Sequence, residues 1–211
     1  MELEPAAERD NATPVVPRRR WFHRESISLA EVAVQTFAVV LGILLALAIG
    51  EWSKDREERQ QVTAAVRALR AEVESNRAEI ANALKHIAQS DAEMADKAKS
   101  ATSSEPRPCT ETPGWHGLAY PLLLDTAYQT AIGTQILAHM DFDRAQIVAH
   151  VYGEQHVFQK YLDHAVDFTA TGKPMTVESC RYVIAREEKA MLDKLDAAYT
   201  TFLDKTKSPA L

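Results

Sequence analysis

The chain has 211 residues, 46% apolar and 26% charged, with a formal net charge of −6. These values suit one folded domain plus an anchor, and the negative balance argues against a general nucleic-acid binder, so no nucleic-acid partner is expected. Only seven glycines argue against a turn-rich all-β fold, and the alanine, leucine, glutamate and lysine of the long middle stretch favour helix.

Residues 1–25 read as a disordered cytoplasmic tail ending in basic residues, Arg18, Arg19, Arg20 and Arg24. A membrane helix is predicted over 26–50. Thr36 to Gly50, TFAVVLGILLALAIG, is free of charge, and extension back to Val32 adds one polar residue, Gln35. The run is then 19 residues long, close to the ~20 that cross ~30 Å of hydrocarbon. Trp21 and Trp52 bracket it, as interfacial residues do. A buried core helix is the alternative, and the uniform apolarity around the circumference counts against it. The arginines before the run outweigh the mixture after it, where Lys54, Arg56 and Arg59 stand among four acids. That asymmetry predicts a cytoplasmic N-terminus and export of the rest. Ala46-Leu47-Ala48 also fits a signal-peptidase site, whose use would release a soluble protein from Ile49. The long preceding segment and the long apolar run favour an uncleaved anchor in the lipid bilayer. Ala38, Gly42, Ala46 and Gly50 recur every fourth residue, a stripe where a second membrane helix can approach. Alanine and glycine are also simply common in membrane helices.

A long helical stalk is predicted over 51–99, since neither glycine nor proline occurs from Glu51 to Glu105. It continues the membrane helix and extends roughly 70 Å. Val62, Val66, Leu69, Val73, Ile80, Leu84 and Ile87 alternate in steps of four and three, with Asn76 in the missing position. This heptad-like stripe faces either a sister chain, as a coiled coil, or this chain's own later helices. Asn76 then fixes register or faces solvent at a bundle edge. Asp55 with Arg59, and Glu93 with Lys97, are spaced for i,i+4 pairing.

Residues 100–120 form a loop by composition, with three prolines and two glycines between Ser100 and Gly117. Helical bundle segments are expected over 121–206. The first runs from Pro121 to about Met140, with Leu124, Tyr128, Ile132 and Ile136 four apart. The second, capped by Asp141, carries Val148, Val151, Tyr152, Phe158, Leu162 and Val166 to about Phe168. After a break at Gly172 and Pro174, Thr176 caps a third with Cys180, Ile184, Met191, Leu195, Ala198 and Phe202. The predicted architecture is all-α: a transmembrane helix, a stalk and an antiparallel helical bundle.

Two cysteines, Cys109 and Cys180, invite a disulfide if the domain lies in an oxidising compartment. Two unpaired thiols, Cys180 filling core space, are the alternative. His139, His150, His156 and His164, with Asp141, Asp143 and Asp163 nearby, raise the question of a metal. No two of these histidines stand at i,i+3 or i,i+4, which favours surface or capping roles and no metal site. Thr171-Gly172-Lys173 lacks the upstream glycine of a phosphate loop. No nucleophile elbow, metalloprotease motif or Cys-x-x-Cys is present, so no catalytic residue or cofactor is expected.

The segment VVLGILLALAIGEWSKDREER, followed by RALRAEVESNRAEI, resembles uncharacterised bacterial single-pass membrane proteins. Trp52, Arg56, Glu58, Arg59, Leu69, Glu72 and Asn76 carry the likeness, as does the block TAYQTAIGTQILAHMDFDRAQIVAHVYGEQ, where Tyr128 stands for the Trp expected there. The resemblance implies a bacterial inner-membrane protein and no particular activity. The expected function is protein interaction or scaffolding, with homo-oligomerisation through anchor and stalk. The alternatives are a periplasmic ligand-sensing bundle and, last, an enzyme.

Overall fold

The computed structural model of the chain describes residues 28–100 and 105–207. The N-terminal tail, with Trp21 and the four arginines before the apolar run, lies outside the described residues. Every regular element of the described residues is helical apart from one isolated two-residue bridge, so the fold is all-α. The chain divides into two units, Met1–Gly50 and Glu51–Leu211.

α1 spans Leu29–Ser100 without interruption, as the absence of proline and of interior glycine beyond Gly50 allows. Ser28 starts it by accepting the Glu31 N–H at 3.1 Å. In the first unit this helix is long and apolar enough to cross a membrane, and among the described residues none of its apolar window is buried. Phe37 is 68% exposed and Leu47 64%. Water solvates such a surface poorly, and a bilayer solvates it well.

The second unit is built on the rest of α1. α2 (Thr126–Gly133), a 3-10 turn (Ile136–His139), α3 (Phe142–Ala170), α4 (Val177–Arg181), a π-helical segment (Tyr182–Glu188) and α5 (Lys189–Lys205) complete it. Asp141 caps α3 by accepting the Arg144 N–H at 2.9 Å. Thr176 caps α4 by accepting the Ser179 N–H at 3.1 Å. The stalk stripe faces the chain's own later helices: Leu69, Val73, Ile80 and Ile87 are at most 1% exposed, and Val62, Val66 and Leu84 pack partly buried against the same core. Phe158, Leu162, Leu192, Leu195, Tyr199 and Phe202 meet them from α3 and α5.

Cross-links give the directions. Arg70 donates to the Leu203 carbonyl, Arg77 to Asp196 and Arg181 to Asp91, so the stretch from α4 through α5 runs antiparallel to α1. Tyr152 bonds Glu72 and Gln155 meets Asn76, so α3 runs parallel to α1. The helix expected from Pro121 to Met140 is present in shortened form: it begins only at Thr126, breaks after Gly133 and resumes as the 3-10 turn Ile136–His139, while 121–125 are extended. Before it lies an extended return that ends where α2 begins. Ser90 meets Gly114 and Glu72 meets Ala127. The 18 residues of α1 between those contacts span about 27 Å, whereas 13 helical residues would cover only about 20 Å. The chain covers that distance by stretching, and the buried residues Ala119, Pro121 and Leu123 alternate with exposed Tyr120, Leu122 and Leu124.

The long loop is pinned by Cys109–Cys180, a disulfide with Cα atoms 5.6 Å apart. Beside it, Arg107 and Met175 exchange backbone hydrogen bonds at 3.0 and 2.9 Å.

Candidate functional site

An extended segment lying on a helix leaves backbone groups with no ladder to satisfy them. Side chains from α1 and the π-helical segment supply the partners. Asn76, 0% exposed, accepts the Leu124 N–H at 2.8 Å and donates to the Leu124 carbonyl at 2.7 Å. Glu72 accepts the Ala127 N–H at 2.7 Å, Ser90 the His116 N–H at 3.3 Å and Glu188 the Ala119 N–H at 2.8 Å. Asn76 thus neither fixes a coiled-coil register nor faces solvent: it anchors the return segment. Gln155, Tyr199 and Tyr152 extend the network, with Tyr199 donating to Gln155 at 2.6 Å and Tyr152 to Glu72 at 2.6 Å. Burial pushes both phenols up, and the Glu72 carboxylate adds to the effect on Tyr152. Tyr128 stacks on Tyr152 with ring centroids 4.3 Å apart. Every member but Tyr128 is held by a hydrogen bond, which describes a structural lock more than a reactive centre.

The π-helical segment has no counterpart in the sequence reading. Such segments recur at functional sites. Here Glu188 ends it fully buried, and its second carboxylate oxygen has no hydrogen-bond partner. Burial pushes this carboxyl up to about 8, against the opposing pull of the Ala119 N–H. The sequence does hold a signal for it: Glu188 stands four residues after Ile184 and four before Leu192, on an otherwise apolar stripe.

Two grooves flank this core. One, of about 590 Å³, lies between the second half of α3 and the α4–π segment, with Tyr161, His164, Phe168, Met175 and Tyr182 on its walls. The other, of about 670 Å³, lies between α1 and the start of α3, with Arg59, Arg67, Arg70, Arg144 and Lys207 around it. Most of the second groove's charge is already matched. Arg70 holds the Leu203 carbonyl and Thr206, Arg144 pairs with Asp141, Lys207 with Asp204 and His139 with Glu58.

The histidines and aspartates of the α3 region scatter. His139 sits on Glu58 and His164 in the first groove, and among the described residues no three potential ligands come together for a metal. Glu93 takes the His116 ring nitrogen at 2.7 Å, and hydrogen bonds from Gln89 and then His116 hold its carboxyl below the usual range. The expected Asp55–Arg59 pair does not form, while Lys54 pairs with Glu58 at 3.7 Å. Ala38, Gly42, Ala46 and Gly50 lie on α1 with open space around both glycines. Comparison of this chain with family models, curated proteins and solved structures finds no match.

Proposed function

We propose that this is a bitopic bacterial inner-membrane protein whose helical domain lies in the periplasm and acts by protein–protein interaction or scaffolding. The observation that carries the interaction is the row Tyr120, Leu122 and Leu124 on the extended return. These side chains are 66%, 72% and 42% exposed although the segment beneath them is firmly bonded. A rigid, exposed apolar row marks a surface that a partner covers. The disulfide supports an oxidising compartment, and the unburied apolar helix supports the anchor. The resemblance to bacterial single-pass membrane proteins agrees with both. Because the domain's own helices cover the stalk stripe, self-association is assigned to the small-residue stripe of the anchor and to this row.

A photo-crosslinking residue at Leu122, in cells expressing the chain at native level, tests the reading. The expected result is a discrete adduct that is absent when the same group is placed at the exposed Asp163. Equal, diffuse labelling from both positions would overturn it. A chain that stays monomeric under crosslinking would remove the homo-oligomer and leave a different partner to be identified.

A further inference from the structure

The groove between α3 and the α4–π segment is lined by two carboxylates, Glu178 and Glu187, with His164 as the one basic side chain and no lysine or arginine among the described residues. Neither glutamate forms an ion pair in the structure: Arg181, near Glu178, is committed to Asp91 at 2.7 Å. Three aromatic side chains, Tyr161, Phe168 and Tyr182, share the walls with Met175. Phe168 is 40% exposed and Tyr182 50%.

The α4–π segment presents Glu178, Ser179, Tyr182, Val183 and Glu187 to the groove. The Lys189 N–H bonds back to the Ile184 carbonyl, five residues earlier, and i→i+5 bonding brings residues five apart, such as Tyr182 and Glu187, toward one face. Two carboxylates thus stand beside aromatic faces on one wall.

Aromatic faces attract cations through the ring quadrupole, and carboxylates add direct attraction. We propose that this groove binds an organic cation, an ammonium or guanidinium carried on an apolar stem. The stem lies along Phe168 and Met175, and the charge sits between the two glutamates and the tyrosine faces. The size suits a small molecule or one long side chain.

The test uses the full chain in nanodiscs of zwitterionic lipid, with methionine methyl groups labelled and Met175 assigned by Met175→Leu. The probes are 3-phenylpropylammonium, the neutral 3-phenylpropanol and the tripeptide acetyl-Gly-Arg-Gly-amide. A saturable shift of the Met175 resonance is expected with the ammonium ion, at several-fold lower concentration than with the alcohol. Glu178→Gln and Glu187→Gln are each expected to weaken it roughly three-fold, and the double variant roughly ten-fold. Both glutamates are exposed, and an unchanged melting temperature confirms that the variants fold. Tighter binding of the peptide would assign the cation to a partner chain, tighter binding of the amine to a free molecule; either supports the site. Equal affinity for ammonium and alcohol, or full affinity in the double variant, would overturn it.

Discussion

Glu188→Gln isolates one buried group. In the folded chain burial raises the Glu188 carboxyl from 4.5 to about 8. Between those values the folded chain keeps a proton that the unfolded chain has released. The stabilising effect of that proton is complete below about pH 4.5, falls as pH rises, and is gone above about pH 8. Each pH unit in the window costs about 1.4 kcal/mol, so the loss reaches about 3 kcal/mol by pH 7 and 4 to 5 kcal/mol by pH 8. Glutamine has no proton to lose and keeps an oxygen for the Ala119 N–H. The stability of Glu188→Gln minus that of the parent should therefore grow with pH by about 1.4 kcal/mol per unit and level off near pH 8. The assay is guanidinium unfolding of the full chain in a non-ionic detergent, disulfide intact, from pH 5 to 9. Subtraction cancels every other titrating group. A difference that stays the same from pH 5 to pH 8, within 1 kcal/mol, would show that Glu188 is not held protonated by its burial.

Three further substitutions probe the architecture. Replacing Cys109 and Cys180 together by serine opens a link across 71 residues and should cost about 4 kcal/mol in the same assay; a loss under 1 kcal/mol would mean the long loop is held by other contacts. Asn76→Ala removes the acceptor of the Leu124 N–H and one of two donors to its carbonyl, leaving Gln155 at 3.1 Å, and strips partners from Gln155 and Tyr199. It should cost about 2 to 4 kcal/mol and speed hydrogen exchange in the return segment, and unchanged exchange there would contradict its role. Gly114 and Gly117 both have positive φ, at 86° and 87°, but a Cβ on Gly114 would meet the Met94 backbone nitrogen at 2.6 Å, while Gly117 has open space. Gly117→Ala should cost about 1 to 2 kcal/mol, and Gly114→Ala markedly more, because helix backbone cannot move aside. Equal losses would show that the return segment does not press on α1 at that point.

Strong local signals were the legible ones. The uninterrupted α1, the caps at Asp141 and Thr176 and the apolar stripe all follow from residue types at fixed spacings, and each is present. The pairing of Cys109 with Cys180, expected if the domain lies in an oxidising compartment, is present. The return segment is not legible, because Leu124 stands four residues before Tyr128 and Ile132, which do lie on α2. What overrides the pattern at Leu124 is a length requirement that only the docked structure imposes, the distance back along α1. Asn76, Glu72 and Ser90 read as ordinary polar residues on a helix until the backbone they serve is in place. The π-helical winding left a weaker trace, a single glutamate, Glu188, on an apolar stripe. Glu178, Glu187 and Tyr182 are brought together by winding and tertiary packing, so no spacing in the sequence marks them as a set.

An anchored chain whose domain matures in an oxidising compartment is tested by the intact mass of protein extracted from membranes, alkylated under unfolding conditions before and after reduction. The expected result is a mass including the anchor, with neither cysteine alkylated at first and both alkylated after reduction. A mass beginning at Ile49 would contradict the anchor. An anchored mass with Cys109 and Cys180 both alkylated at once would contradict the compartment and reverse the orientation.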